Sequence, residues 1–328
     1  MTGPLDEFLS AYGQQVPAAG AVGPTSFAVI VRTQGTRPQS LNEALDSLAA
    51  QNLPAAEVIV VVHGPRDRVD AVTESIGDRL PGRLHIVGIE GGGRAVPLNA
   101  GIDALSDESD YLCFLDDDDL VMPNWLDAFA AAIAERPGAI VRAVTQSQAW
   151  AADGGTEPLR ATGEIELPFP DRFDLLAHMS VNLTPICSLA YPRRVVDEFG
   201  LRFSDDLPVL EDWDFLMHAA MAVGVVSITD QTSLYRRLDS GNADTAESTA
   251  TWERAHALVI DRLSSRPVLL PAGDARRLAG THFVLGGRSR HEAELEIAQS
   301  TIDQLTRSPV RWARAFLARL LGAVRRRT

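Results

Sequence analysis

The chain has 328 residues, 45% hydrophobic and 23% charged, which is enough apolar material for one large domain with or without a smaller appendage. A formal charge of −14 excludes the basic footprint on which non-specific nucleic-acid binding depends, so no nucleic-acid partner is expected. The sequence contains no lysine, so any cationic side-chain contact to a phosphate must come from Arg or a charged His.

Residues 1–25, rich in Gly, Pro, Ala and Gln, read as a tail or a short packed arm. The regular pattern begins at FAVIVR (27–32), a short β-branched run typical of a buried strand. Ser40-Leu-Asn-Glu43 matches a capping box and predicts a helix from Leu41 with Leu41, Leu45 and Leu48 on one face. EVIVVV (57–62), a helical stretch (66–77), LHIVGI (84–89), a helix (94–105) and YLCFL (111–115) continue the alternation. Strands apolar almost throughout and separated by helices predict a parallel sheet covered on both faces. Ligands of such sheets bind beyond the carboxyl ends of the strands, so chemistry is expected in the loops after Arg32, Val62, Ile89 and Leu115. A helix (125–135) and a strand (139–146) follow, then a loop-like stretch (150–170), further mixed structure to about residue 237, and a looser helical region. Cys113 and Cys187 each sit in an apolar run, as buried free thiols of a reducing compartment do. The N-terminus does not have the pattern of a signal peptide, and no run reaches the length of a membrane span.

The strongest local signal is FLDDDDLVMP (114–123): four aspartates at the carboxyl end of an apolar strand. Adjacent like charges repel, and a cation is the simplest remedy. Mg²⁺ or Mn²⁺ bound by one or two carboxylates and a substrate diphosphate would supply it. Asp116 and Asp118, two apart, point to the same side if strand geometry continues. The segment resembles the aspartate motif of the family 2 glycosyltransferases, in which a strand leads into Asp-any-Asp-Asp, then a Pro and a helix; Asp116, Asp118, Asp119 and Pro123 take those places. The resemblance implies a GT-A-type, Rossmann-like α/β sandwich with a central, mostly parallel sheet and a helical C-terminal region. It further implies that Asp116 faces the donor ribose or the metal, and that Asp118 binds metal and diphosphate.

An inverting sugar transfer also needs a base for the acceptor hydroxyl. The family places it in a Glu-Asp pair at a helix start, and VLEDWDFLMHAAMAVG (209–224) offers Glu211-Asp212 before an amphipathic run. By this resemblance Asp212 is the base, Glu211 its supporting acid and Asp214 the fallback. Similarity extends over residues 27–240 with departures. Arg32 replaces the family's Pro ahead of Thr33, and His63 stands where an Asp usually reads the base. Arg94 precedes Asn99 and Gly101, which match the Gly-rich loop motif. LYRRLDSGN (234–242) resembles a Tyr-Arg segment near the donor phosphates and nominates Arg236.

The implied division is a domain over 26–240, with a nucleotide-binding half (26–120) and an acceptor half (121–240), and a helical region over 241–328. Within the last region, residues 309–328 carry Val310, Ala313, Phe316, Leu317, Leu320, Leu321 and Val324 on one helical face and mostly arginines on the other. Such a helix suits an anionic membrane surface or the protein's own acidic body. The expected partners are a nucleotide-diphospho-sugar donor and a saccharide or lipid-linked acceptor, and the expected location is the cytoplasm, at the inner face of the membrane if the helix binds there. The competing readings are an inactive carbohydrate-binding or scaffold protein of the same fold, and a nucleotidyltransferase. The last fits poorly, because RTQGTRP (32–38) is not its basic Gly-rich signature.

Overall fold

A computed structural model describes residues 25–77, 83–152, 157–238 and 246–265, with residues 80, 268, 276 and 278. The expected basic helix at 309–328 and the arm at 1–25 lie outside the described residues, apart from residue 25.

Strand and helix alternate as the apolar periodicity predicts: β1 (Phe27–Thr33), α1 (Pro38–Ala49), β2 (Glu57–His63), α2 (Arg66–Ile76), β3 (Arg83–Ile89), α3 (Ala95–Asp103) and β4 (Tyr111–Asp116). These strands form a parallel block in the order β3-β2-β1-β4. Both faces are covered. Phe27, Val29 and Val31 of β1 pack into one core with α1 and Trp125, while Ala28 and Ile30 pack into the other with α3 and Phe215. That split is the period of two of a strand buried on both sides. Gly101 shows how close α3 lies to the sheet: a Cβ there would clash with Ile30 Cγ2.

Beyond β4 the sheet becomes mixed. β5 (Leu120–Val121), α4 (Trp125–Glu135), β6 (Ile140–Ala152), β7 (Leu159–Ala161), α5 (Leu175–His178), a 3₁₀ turn (Ile186–Ser188), β8 (Leu189–Pro192), α6 (Arg194–Asp197), α7 (Glu211–Val223) and β9 (Val225–Leu238) complete it. β8 joins β4 antiparallel, and the order continues β8-β6-β9-β5 with β7 against β6. The sheet therefore runs unbroken from the parallel block β3-β2-β1-β4 to the mixed strands that follow β4. α8 (Ala246–Ser264) packs Ala255, Val259 and Leu263 against Trp213, Met217 and Leu207. No helix among the described residues is long and apolar enough to cross a membrane.

Two local expectations are corrected. β6 runs to Ala152 and pairs with β7, so part of the 150–170 stretch is sheet rather than loop. α1 begins at Pro38, not Leu41, and Ser40 lies buried inside its first turn. The capping box does not form. The free N–H groups of Gln39 and Ser40 are instead taken by the Glu157 carboxylate, at 3.0 and 2.7 Å, where the helix dipole also favours an anion. Glu157→Ala is expected to lower stability by about 1 kcal/mol, read from urea unfolding; an unchanged midpoint would remove Glu157 from this role.

Candidate active site

The aspartate run sits where the sheet brings β1 and β4 side by side, with Arg32 and Asp116 as register partners on adjacent strands. Arg32 grips Asp116 with a fork, Nε to Oδ1 at 2.8 Å and Nη2 to Oδ2 at 2.7 Å. Its remaining nitrogen, Nη1, donates to Glu211 Oε1 at 2.8 Å and to the Arg94 carbonyl at 2.9 Å. Arg94 Nε adds a second bond to the same Glu211 oxygen, at 3.0 Å. One guanidinium thus ties the aspartate run to the Glu-Asp pair of α7. Next along the run, Arg37 bridges Asp117 and Asp118 at 2.6 and 2.7 Å, and the Thr33 hydroxyl donates to Asp117 at 2.6 Å. Asp119 accepts from the backbone N–H of Arg236 at 3.0 Å. The repulsion expected among four aspartates is relieved by arginines and a main-chain donor.

Strand geometry does not continue past Asp116: a turn follows, closed by the Asp119 N–H on the Asp116 carbonyl at 3.1 Å, and Asp117 lines the same cavity as Asp116 and Asp118, though exposure still alternates. The Asp116 and Asp118 side chains are 25% and 23% exposed, whereas Asp117 and Asp119 are buried. The environments separate their protonation. Burial pushes Asp116 up, but the Arg32 guanidinium outweighs it and holds the carboxyl below the usual range. Burial and the neighbouring Asp118 charge push Asp117 up to about 6 despite Arg37. Burial also raises Asp119, with the charges of Asp118 and Asp116 acting in the same sense.

Two cavities open at this rim. One, of about 350 Å³, is lined by Arg32, Thr33, Arg37, His63, Arg94 and Asp116 to Asp118. Its three guanidiniums supply the only kind of side-chain cation besides His that a lysine-free chain can offer a diphosphate. The other, of about 140 Å³, is lined by Glu211, Asp212, Asn182, Phe169, Tyr235 and Trp252 among others. Asp116 and Arg94 border both cavities, so Asp118 and Asp212 face neighbouring compartments of one cleft.

The acid pair is presented by a distorted turn. Leu210, just before α7, adopts φ 67° and ψ 18°, the one left-handed non-glycine residue among those described. The conformation costs about 1–3 kcal/mol and is held by the buried Leu210 side chain. Glu211 is buried against Arg32 and Arg94, while Asp212 turns into the smaller cavity. Burial, then the Glu211 charge, pushes Asp212 up to about 6. Asp214, the fallback base, accepts from Ser204 Oγ and Arg262 Nη1 at 2.8 and 3.1 Å and borders neither cavity.

Of the residues singled out from sequence, Arg32, Thr33, His63, Arg94, Asp116 and Asp118 line the larger cavity, and Glu211 and Asp212 the smaller. Asn99 and Arg236 line neither. Asn99 exchanges hydrogen bonds with the backbone of Phe203, at 2.8 and 2.9 Å, and so fastens α3 to the segment leading to α7. Arg236 is buried behind the aspartates. It donates to the Asp118 carbonyl and to Glu43 and lies over the Trp150 ring, 5.1 Å from its centroid. It supports the run from beneath. Arg37, Asn182 and the aromatic wall of Phe169, Tyr235 and Trp252 were not anticipated. Arg37 had a usable signal, a cation immediately before the proline that opens α1; Tyr235 stands in the Tyr-Arg segment noted in the sequence, whereas Phe169 and Trp252 come from separate segments and had none.

Residues 28–189 match the model of the glycosyl transferase family 2. An uncharacterized glycosyltransferase of Rickettsia felis is 26% identical over 182 residues, 53% of this chain and 28% of that protein. Another from Rickettsia typhi is 36% identical over 84 residues, 26% of this chain and 24% of its own. The chain spans about a quarter of the length of these curated relatives. Among solved structures, residues 1–349 of S. aureus TarS in complex with UDP-GlcNAc align with a TM-score of 0.52 and 19% identity, over 88% of this chain and 83% of that one. The same TarS segment in complex with UDP gives 0.51 and 20% identity, over 92% and 87%. This likeness shows the fold, a GT-A-like α/β architecture. Over residues 28–189, which carry the aspartate run at the rim of the sheet, the chain belongs to the family 2 glycosyltransferases.

Proposed function

We propose that the chain transfers a sugar from a nucleotide diphosphate to an acceptor hydroxyl with inversion at the anomeric carbon. The observation that carries this reading is the pair of compartments sharing Asp116 and Arg94, with Asp118 on one side and Asp212 on the other. The nucleotide-sugar donor is supported by TarS structures holding UDP-GlcNAc and UDP. The donor diphosphate lies against Arg37, Arg94 and Asp118, and its leaving-group charge is stabilised by those guanidiniums. Across the cleft Asp212 accepts the proton of the acceptor hydroxyl. The hydroxyl oxygen bonds to the anomeric carbon as the bond from that carbon to the diphosphate oxygen breaks on the opposite face.

A divalent cation fits the larger compartment. Asp116 and Asp118 are partly open to it, and each carboxylate offers about four lone-pair positions, of which Arg32 takes two on Asp116 and Arg37 takes one on Asp118. No cluster of three or more acidic, His or Cys ligands occurs among the described residues, so Mg²⁺ or Mn²⁺ would share these two carboxylates with donor phosphates. When bound, such an ion offsets charge on the departing diphosphate.

The aromatic lining of Phe169, Tyr235 and Trp252 suits the apolar face of a sugar ring, which favours a saccharide acceptor. A lipid-linked saccharide, as in cell-envelope or exopolysaccharide synthesis, would also suit the basic 309–328 segment at a membrane surface. The test is hydrolysis and transfer across a panel of nucleotide sugars, with Mn²⁺ and with EDTA. Turnover with at least one donor is expected. Asp118→Ala should raise the Mn²⁺ concentration for half-maximal rate by about tenfold or more. A folded protein that neither turns over nor is thermally stabilised by any nucleotide sugar would overturn the reading.

A further inference from the structure

The smaller cavity contains a polar chain that the proposed reaction has not used. Asp212 receives one donor on each oxygen: the Trp213 N–H on Oδ1 at 2.8 Å and the Asn182 amide Nδ2 on Oδ2 at 3.1 Å. The amide orientation is not arbitrary. The Thr184 N–H donates to Asn182 Oδ1 at 3.1 Å, which fixes the oxygen on that side and turns the NH₂ toward Asp212.

Thr184 is itself held from behind. Its hydroxyl accepts from Arg142 Nε at 3.0 Å and meets His178 Nε2 at 2.7 Å. His178 Nδ1 faces the Asp174 carbonyl at 2.8 Å and so carries the ring proton, leaving Nε2 to accept from Thr184. Burial pushes His178 down to about 4, so the ring stays neutral and the direction of this chain is fixed at neutral pH. Arg142 is fully buried, and its Nη2 also donates to the Pro170 carbonyl at 2.6 Å, beside Phe169. A single buried guanidinium thus pins both the Phe169 side and the Asn182 side of the pocket. Spending a buried cation on a hydroxyl and a carbonyl is costly, and the beneficiary of the arrangement is the placement of Asn182.

We infer that Asn182 is a positioning residue for the transfer: its amide, anchored through Thr184 to Arg142 and His178, holds the Asp212 carboxylate at the angle from which it meets the acceptor hydroxyl. With one donor already on each oxygen, the carboxylate cannot rotate freely, and its remaining lone pairs are left for the acceptor. The amide also favours the charged form of Asp212, against the burial and the Glu211 charge that oppose it.

The inference rests on Asp212 being the base, and the experiment separates the two ideas. Asp212 is titrated by NMR in carboxyl-labelled protein, its resonance assigned by its loss in Asp212→Asn, alongside kcat, KM and thermal stability. This titration can be read even if no donor turns over, so failure of the proposed function leaves it intact. Among the described residues, Glu211, Arg94, Arg32, Tyr191 and Tyr235 act on Asp212 or are acted on by it, and Asp116 and Asp119 line the same cavity; none of these is substituted. Asn182→Asp keeps the acceptor for the Thr184 N–H but sets a second carboxylate against Asp212, whose charge adds to the loss of the donor, so Asn182→Ala, which removes the donor without adding charge, is the variant that isolates the amide. Asn182→Asp is expected to move the Asp212 titration up by about one pH unit or more and to lower kcat by about tenfold, with donor KM unchanged. Asn182→Ala should give the same shift in smaller measure. Superposable titrations with kcat within about twofold of wild type would overturn the inference. So would a loss of rate that follows thermal stability while the Asp212 titration stays in place.

Discussion

Asp212→Asn is expected to lower kcat by about 10³-fold, the usual scale for loss of a general base, while donor affinity stays within about twofold. The amide keeps the shape of the carboxylate and its oxygen can still accept from the Trp213 N–H, so the turn into α7 survives, though the Asn182 amide loses its acceptor. It cannot accept the acceptor's proton. The wild-type rate should rise with pH through about 6, because the active form is the deprotonated one and burial with Glu211 raises that group to about 6. The same shift fixes the sign of a stability effect. An acid whose folded pKa lies above its unfolded value is a burden on the folded state once the pH exceeds the unfolded value, and the burden is complete above the folded value. Asp212→Asn should therefore be more stable than wild type at pH 7, by on the order of 1 kcal/mol. Donor titration calorimetry, kcat against pH and urea unfolding test the three parts. An Asp212→Asn enzyme retaining a tenth of wild-type kcat would exclude Asp212 as the base.

Arg32→Leu is expected to cost about 3–5 kcal/mol at pH 7, the scale for breaking a buried ion pair from one side. The side chain is 12% exposed and faces Asp116 with a fork and Glu211, itself 2% exposed, with its remaining nitrogen. Removal leaves two carboxylates near each other with only Arg94 on Glu211. Sign again follows from the shift. Asp116 is held below its usual range, so its pairing stabilises the fold above its unfolded pKa and loses that contribution as pH falls through the depressed folded value. The gap between wild type and variant should accordingly narrow below about pH 4. Arg32→Lys would not restore it, because one ammonium cannot reproduce the fork and the second reach together. Urea midpoints at pH 7 and pH 4 are the measurement. A loss under about 1 kcal/mol at pH 7 would mean that water or other groups neutralise Asp116 and Glu211.

Much of this was legible in the sequence because the signals were local. Continuous β-branched runs marked β1, β2 and β4, and an acid run at a strand end marked the rim. Asp212 and Glu211 were legible as a pair at the head of an amphipathic run. The missed features depend on distant partners. Ser40 and Glu43 spell a capping box, yet Glu157 arrives from another part of the chain and takes the Ser40 N–H that Glu43 would have served, together with that of Gln39. The strand at 147–152 lacks an apolar alternation, and its structure comes from pairing with β7 and β9. Arg236 looked like a phosphate ligand because its segment resembles the family's Tyr-Arg segment, but β9 runs behind the aspartates and turns it inward. Trp252 could not be found by any local pattern, since it reaches the pocket only by the docking of α8 on α7.

The Arg32–Asp116 pair is also the last rung of the β1–β4 ladder. Parallel strands of similar aliphatic residues offer little to distinguish one alignment from a slipped one, since Val against Leu or Ile packs much as well either way. A slip by one position would turn Arg32 to the opposite face and set Val31 or Thr33, neither of them charged, beside Asp116. The paired charges that line the cleft therefore also favour this strand alignment over its one-residue slips.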